Sequence, residues 1–249
     1  MPSISGQHVL VIGGSSGMGF AVAKLCLAEN VRVAIASSNQ TKVDDAIKRL
    51  STEGKTKPTG YTIDLNSNAV EANLESLLDA VTKQGSDPLD HIITTAGKPD
   101  MKPLTDVSME YLTKTATVPV FASILLAKVG TKYLHKKYTS SIIFTSGQVA
   151  EKPQPGYFLF AAYGAALHGL VRSLALDLAP FRFNVVSPGA TETELWGEHR
   201  EMLRGIVSEK SLLGKPASPD EVAEAYIYLM RNTDATGSLV SSNAGSTLQ

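Results

Sequence analysis

A glycine-rich segment near the start of the chain has the composition and position of a phosphate-binding turn. Glycine tolerates positive φ and lets the backbone approach an anion closely, and a helix N-terminus offers N–H groups and the positive end of a dipole. Because the segment follows a predicted strand and opens a predicted helix, it predicts a pyrophosphate site, although a bare structural turn uses the same residues. The segment consists of Gly13, Gly14, Ser15, Ser16, Gly17, Met18 and Gly19.

A second group of polar residues, Ser37, Ser38 and Asn39, follows the second predicted strand. An acid at this place would accept hydrogen bonds from both ribose hydroxyls and repel a 2′-phosphate. All three residues are neutral and can donate hydrogen bonds, so they favour NADP(H) over NAD(H) as the cofactor. A serine-rich turn that caps the next helix is an alternative interpretation, and both can be true.

Short β-branched runs alternate with longer stretches of helical period along the whole chain, and no Pro/Gly/Ser linker divides them. This pattern predicts one α/β domain over residues 1–249, a Rossmann-like doubly wound fold with a seven-stranded parallel sheet and helices on both faces. The predicted strands are His8–Ile12, Val31–Ala36, Gly60–Ile63, His91–Thr95, Ser141–Thr145, Arg182–Val186 and Ser238–Val240. The predicted helices are Gly17–Glu29, Thr41–Ser51, Ala69–Lys83, Ser108–His135, Tyr157–Leu178 and Pro219–Arg231.

One segment, at about residues 192–214, interrupts the alternation of strands and helices. It contains Leu195, Trp196 and Leu212 between polar residues. A loop or helical lid over the carboxyl edge of the sheet is the interpretation we favour, because such lids carry substrate contacts.

Composition excludes several classes of protein. The chain has 249 residues, with 23 Lys and Arg against 24 Asp and Glu, and the net charge of −1 argues against a nucleic acid partner. Cys26 is the only cysteine, so no intramolecular disulfide is expected, and the five histidines show no metal-ligand spacing. The apolar stretch Val118–Val129 is interrupted by Lys128 and is shorter than the roughly 20 residues a membrane requires. We therefore expect a cytoplasmic protein without a metal site or membrane association.

The spacing Gly-x-x-x-Gly-x-Gly resembles that of the short-chain dehydrogenase/reductase family, and later segments extend the resemblance over nearly the full chain. Thr95-Ala96-Gly97 stands in place of the family's Asn-Ala-Gly, and Asn184 to Gly189 is similar to the segment that lies against the nicotinamide and the phosphates. The resemblance implies further cofactor-binding residues, namely Asp64, Leu65, Ala96, Gly97, Pro188, Gly189, Thr191 and Thr193.

The catalytic residues of the family are absent from their expected positions. In the family a serine polarises the substrate carbonyl, a tyrosine transfers the proton, and a lysine one turn later lowers the pKa of that tyrosine. An ungapped match from Pro153 onward puts Gly147 at the serine, Phe160 at the tyrosine and Gly164 at the lysine. The family's asparagine has no counterpart either. Ordinary interconversion of alcohols and ketones is therefore not expected, because losing a positioned acid costs about 10²–10⁴ in rate.

Two hydroxyls near these positions are the remaining catalytic candidates, Ser146 beside Gly147 and Tyr163 on the same predicted helix as Phe160. Tyr163 is three residues from Phe160, which displaces its side chain by about 60° around the helix. It could reach a substrate, or it could simply pack or hydrogen-bond beside Gly164, and the second interpretation is the one we favour.

The cofactor-binding residues are present, whereas the tyrosine that transfers the proton is absent, and this combination leads to three hypotheses of function. The sequence is similar to fungal members of specialised metabolism that have lost the same motif, some of which couple reduction to cyclisation. The first hypothesis is reduction of an activated, bulky, apolar intermediate in a pocket lined by Phe158, Phe160, Tyr163 and Trp196. The others are cyclisation or isomerisation without a redox step, and a non-enzymatic nucleotide sensor or subunit. The resemblance also implies a homodimer or homotetramer.

Overall fold

The computed structural model describes residues 2–98 and 101–249. Seven parallel strands form one sheet in the order β3-β2-β1-β4-β5-β6-β7. This order reverses between β1 and β4, and a crevice opens at such a reversal at the carboxyl ends of the strands. The strands are β1 (His8–Ile12), β2 (Arg32–Ser37), β3 (Thr59–Thr62), β4 (His91–Thr94), β5 (Ser141–Thr145), β6 (Arg182–Pro188) and β7 (Leu239–Ser242).

Helices cover both faces of the sheet because each strand buries alternate residues on opposite sides. Val9 and Val11 of β1 pack with α1, α2 and α8, whereas Leu10 and Ile12 pack with α3, α5 and α6. The helices are α1 (Gly17–Ala28), α2 (Gln40–Leu50), α3 (Val70–Thr82), α4 (Met109–Ala116), α5 (Ala122–Gly130), α6 (Phe158–Asp177), α7 (Arg200–Glu209) and α8 (Pro219–Arg231). The predicted doubly wound α/β fold is confirmed.

The prediction of a single helix over Ser108–His135 is wrong in continuity and in length. A π-helical turn at Thr117–Phe121 separates α4 from α5. It contains Pro119, which has no N–H to donate to the ladder of an α-helix. After Gly130 the chain turns, and Leu134 forms an isolated parallel bridge with Leu89. The apolar pattern continues to residue 134 because Leu134 is buried as part of the sheet layer rather than as part of a helix.

Two helical stretches, Met109–Gly130 and Phe158–Asp177, are long and apolar enough to cross a membrane by length and composition alone, each with a mean hydropathy of 1.4. Both contribute to the layer on one face of the sheet, yet only 33 % and 17 % of their most apolar windows are buried. Met109 is 78 % exposed and Leu176 is 83 % exposed. Apolar surface of this kind is typical of helices that pack against another protein chain.

Cys26 lies on α1 and is fully buried against α8, with its Sγ atom 4.0 Å from Sδ of Met230. Burial raises the pKa of this thiol to about 12. The thiol therefore stays protonated and inert near neutral pH, as expected for a cysteine that acts as a small apolar core residue.

A buried imidazole joins three elements near the amino ends of the central strands. Nδ1 of His91 lies 2.8 Å from Oγ of Ser141, and its Nε2 lies 2.9 Å from Oε1 of Gln7. The amide oxygen of Gln7 can only accept, so Nε2 carries the proton and Nδ1 accepts from the serine hydroxyl. A neutral ring satisfies both hydrogen bonds, and burial, aided by the charge of Arg182, lowers its pKa from 6.5 to about 3.

The free energy of unfolding should fall as the pH falls from about 6.5 towards 3, because the pKa of His91 has these values in the unfolded and the folded chain. Below about pH 6.5 the unfolded chain protonates this ring, whereas the folded protein does not until about pH 3. The unfolded state then binds more protons, so the free energy of unfolding measured in urea should drop by about 2 kcal/mol between pH 7 and pH 5 from this residue alone.

His91→Gln should flatten this pH dependence even if it lowers stability at pH 7, because glutamine does not titrate. His199 is exposed and provides the matched control, since His199→Gln should leave the slope unchanged. Equal slopes for His91→Gln and the unaltered chain would show that the buried ring is not responsible.

Candidate active site

The turn between β1 and α1 has no room for side chains at its first and last glycines. Gly13 has a φ of 89°, and a Cβ atom on it would lie 2.6 Å from Oγ1 of Thr95. A Cβ atom on Gly19 would lie 2.3 Å from the carbonyl oxygen of Gly13 and 2.4 Å from the same hydroxyl. Thr95, directly after β4, thus occupies the space inside the turn. The backbone of the turn is held bare beside the crevice, as close approach of a pyrophosphate requires.

The N-terminus of α1 already holds an anionic group from the same chain. The backbone N–H of Gly17 donates to Oε2 of Glu194 at 3.0 Å, and Gly17 has a φ of 53°. The neighbouring Thr193 lies across the turn, with Cγ2 3.2 Å from where a Cβ atom on Gly17 would be. The structure therefore brings together Gly17 and Thr193, which the sequence predicted separately. A carboxylate bound at this helix end shows that the turn fits an anion.

The residues after β6 are fixed by contacts to the end of the chain. The N–H of Gly189 donates to the carbonyl oxygen of Ser242 at 2.8 Å, and a Cβ atom on Gly189 would lie 2.7 Å from Cα of Asn243. Oγ1 of Thr191 donates to the carbonyl oxygen of Gly189 at 3.1 Å. Pro188 ends β6 at the same sheet edge as the glycine turn. This segment is positioned to form one wall of the crevice.

The polar residues after β2 and β3 lie further along this edge. Ser37 ends β2, Ser38 is exposed, and the side-chain oxygen of Asn39 accepts from the backbone N–H of Lys42 at 2.9 Å. Asn39 therefore caps the N-terminus of α2, which confirms the helix-capping interpretation for this residue. The exposed carboxylate of Asp64 accepts from the N–H of Asn66 at 2.8 Å, next to the half-buried Leu65.

A phenyl ring lies where the sequence places the family's tyrosine. Cε1 of Phe160 is 3.2 Å from the position that a Cβ atom on Gly147 would take. The ring thus fills part of the volume left by the missing side chain at residue 147. Ala96 and Gly97, the latter with a φ of 147°, follow β4, the strand that pairs with β5.

Gly164 is packed against the end of β5 by two close neighbours. A Cβ atom on it would lie 2.8 Å from Oγ of Ser146 and 2.9 Å from Cβ of Ala150. The hydroxyl of Ser146 occupies this space and lies 2.9 Å from Nε2 of His168 on α6. Burial lowers the pKa of His168, while the negative charge of Glu151 opposes this effect.

The hydroxyl of Tyr163 is held against α4. It donates to the carbonyl oxygen of Leu112 at 3.3 Å and lies 3.1 Å from Oγ1 of Thr115. These contacts support the structural role that the sequence left open for this tyrosine. Ser146 remains a candidate for catalysis, and its histidine partner was not singled out from the sequence.

The segment predicted as a lid contains a short 3₁₀ helix, Glu194–His199, followed by α7. It is held at its base by an ion pair 2.5 Å long between Arg204 and Glu192. Leu195 is 62 % exposed and Met202 is 58 % exposed, so the segment presents apolar side chains. Movement of this segment over a substrate stays a prediction.

Comparison with known proteins decides the family. The model of the SDR-like Rossmann domain matches residues 3–249. The chain belongs to the short-chain dehydrogenase/reductase family. Members of this family use a nicotinamide cofactor, and the bare glycine turn and the anion-binding end of α1 fit its pyrophosphate.

Several relatives are fungal. The short-chain dehydrogenase/reductase ATR9 of Stachybotrys chlorohalonatus is 42 % identical over 253 residues, covering 100 % of both chains. The short-chain dehydrogenase/reductase malC of Malbranchea aurantiaca is 36 % identical, covering 99 % of this chain and 96 % of the relative. A solved structure of the MalC Reductase/Diels-Alderase superposes with a TM-score of 0.94 over 99 % of this chain and 98 % of that one.

Two side chains in this site were not predicted as functional from the sequence, Glu194 and His168. Glu194 lies 177 residues from Gly17, and no short motif reveals a pairing over that distance. His168 had a readable signal, because it follows Gly164 by four residues and so lies one turn along the same helical face. Among residues 2–98 and 101–249, no cluster of three or more His, Cys, Asp and Glu could hold a metal ion.

Removing the charge of Glu194 should tighten cofactor binding. A dinucleotide pyrophosphate must take the place of this carboxylate at the N-terminus of α1, and two anions cannot share it. Glu194→Gln should lower the Kd for NADPH or NADH by about three- to tenfold in a fluorescence titration. Glu198→Gln changes the same charge at an exposed position of the same segment and should leave the Kd unchanged. Weaker binding by Glu194→Gln would mean that the carboxylate instead supports the cofactor.

Proposed function

We propose that this protein is an NADP(H)-dependent reductase of specialised metabolism that acts on a bulky electrophile already activated for hydride attack. The observation that carries the proposal is the Phe160 ring, 3.2 Å from the Cβ position of Gly147, beside a retained cofactor cradle. A phenyl ring cannot transfer a proton, and a glycine at residue 164 cannot supply a cation. An iminium ion or a conjugated enone needs less help from a positioned acid than a ketone does.

When bound, the nicotinamide supplies the hydride. The residues of the chain bind and orient the reactants: the end of α1 takes the pyrophosphate, and Phe160 excludes water beside the reacting carbon. The face of an aromatic ring also attracts a cation by about 1 kcal/mol, or more where water is excluded. A cationic electrophile is therefore better matched to Phe160 than to a hydroxylated ring with a neighbouring lysine.

The preference for NADP(H) rests on the absence of a carboxylate after β2. Ser37 and Ser38 are neutral donors at this edge, and the amide of Asn39 keeps Nδ2 as a donor because its oxygen caps α2. Such donors accommodate a 2′-phosphate, which a carboxylate would repel.

A second candidate function is cyclisation of the bound intermediate, alone or after reduction. It is favoured by the likeness to a relative described as a Reductase/Diels-Alderase, 36 % identical over nearly the whole chain. An apolar pocket can hold a flexible intermediate in a reactive shape, which lowers the entropic part of the barrier. Product formed without NADPH would favour this function over reduction.

The exposed apolar surfaces of α4, α5 and α6 support a homodimer or homotetramer, because these helices lie next to one another on one side of the molecule. Burying this surface between copies of the chain would remove it from water. We place the protein in the cytoplasm with a small apolar molecule as its substrate, and with neither nucleic acid nor a membrane as a partner.

Reduction is tested by mixing the protein with NADPH and an N-methyl dihydroisoquinolinium salt. The absorbance of NADPH at about 340 nm should fall in proportion to the amine formed. A simple ketone of similar size serves as the matched control and should be reduced at least about 100-fold more slowly. Failure of every iminium and enone tried to oxidise NADPH would contradict the proposed reductase.

Cofactor preference is tested by placing a carboxylate after β2. Ser38→Asp should raise the Kd for NADPH at least about tenfold, because the new charge repels the 2′-phosphate, while the Kd for NADH stays equal or falls. Ser51→Asp adds the same charge at the far end of α2 and should change neither constant. A protein that binds NADH more tightly than NADPH before any substitution would overturn the preference.

A further inference from the structure

We propose that Ser146 and His168 form a proton relay that protonates the anion formed when hydride adds to a neutral conjugated enone. This inference rests on the proposed function and names the group that supplies its proton.

The relay consists of two side chains in direct contact. Oγ of Ser146 lies 2.9 Å from Nε2 of His168, a distance at which a proton can pass between them. Ser146 is only 6 % exposed, so its hydroxyl is shielded from bulk water. His168 is half-buried and can exchange protons with solvent on its open side.

The serine hydroxyl lies at the position from which the family's lysine would extend. A Cβ atom on Gly164 would be 2.8 Å from Oγ of Ser146, so the hydroxyl takes the first part of the space that a side chain at residue 164 would fill. The next residue, Gly147, has no side chain and lies under the Phe160 ring. The hydroxyl thus belongs to the residue directly before the glycine that the Phe160 ring covers, and the substrate is proposed to bind beside this ring.

Two charged groups act on the outer end of the relay. Glu151, in the loop after β5, favours the protonated ring, whereas Arg172, on α6, disfavours it. The carboxylate of Glu151 is fixed by hydroxyl groups, accepting from Ser187 at 2.5 Å and from Ser241 at 2.9 Å. Burial has the largest effect and lowers the pKa of His168 below 6.5, so the ring releases a proton readily.

The proposed step balances as follows. Hydride adds to the electrophilic carbon of a neutral conjugated enone, and the resulting negative charge on the substrate takes the proton of the Ser146 hydroxyl. As that O–H bond breaks, the oxygen of Ser146 takes the proton from Nε2 of the protonated His168, which becomes neutral. Water then returns a proton to the ring. An iminium ion needs no proton from the protein, because hydride addition alone gives a neutral amine.

The difference between these two substrates provides the test. His168→Gln keeps a donor for the hydrogen bond to Ser146 but carries no transferable proton. It should slow reduction of a conjugated enone by about 100-fold and leave reduction of an N-methyl dihydroisoquinolinium salt within about twofold. Ser146→Ala should show the same split, and His135→Gln, at an exposed position away from the carboxyl edge of the sheet, should show none.

Two further measurements exclude a merely structural role. The rate with the enone should rise as the pH falls below 7 in the unaltered protein, and this dependence should vanish in His168→Gln. In NMR titrations without cofactor, the imidazole of His168 should titrate below pH 6.5, and Ser146→Ala should shift its midpoint. Thermal melting and the Kd for NADPH establish that each variant is folded and binds cofactor.

Equal loss with both substrates would overturn the relay, as would unchanged rates with the enone in His168→Gln and Ser146→Ala. If the unaltered protein reduces the iminium but not the enone, the proposed function stands and the relay is wrong. If it reduces neither, both fail.

Discussion

In the space between the end of β5 and the middle of α6, a side chain on residue 164 would contact the hydroxyl of Ser146, which would have to turn away to make room for it. A Cβ atom on Gly164 would come within 2.8 Å of that oxygen. Residues 147, 160 and 164 and the hydroxyl of Ser146 therefore form one packed unit at the end of β5.

Two side chains also occupy the space around the glycine turn, where the pyrophosphate of the cofactor is expected to bind. Thr95 fills the inside of the glycine turn, and Glu194 occupies its outer face through the N–H of Gly17. The N-terminus of α1 can thus bind any anion that reaches it. Glu194 belongs to the same segment as α7. Its carboxylate therefore connects the cofactor site to the apolar surface of that segment.

Much of the fold could be predicted from the sequence because alternating burial leaves a periodic pattern, and β1, β5 and α8 have the predicted bounds. The break at Thr117–Phe121 and the end of α5 at Gly130 could not, since Leu134 continues the apolar pattern through a bridge instead of a helix. Within the site, the glycine turn was readable from local spacing. The partners of Tyr163 lie about 50 residues away in sequence, and such contacts depend on packing that no local pattern encodes.

The burial of Cys26 gives this protein a practical property. It is the only cysteine in the chain, and its thiol is enclosed and protonated. A maleimide dye would therefore find no native target on the folded protein. A cysteine introduced at the exposed Met202 of α7 would carry the label alone, and its fluorescence would report how that helix responds when a ligand enters the crevice.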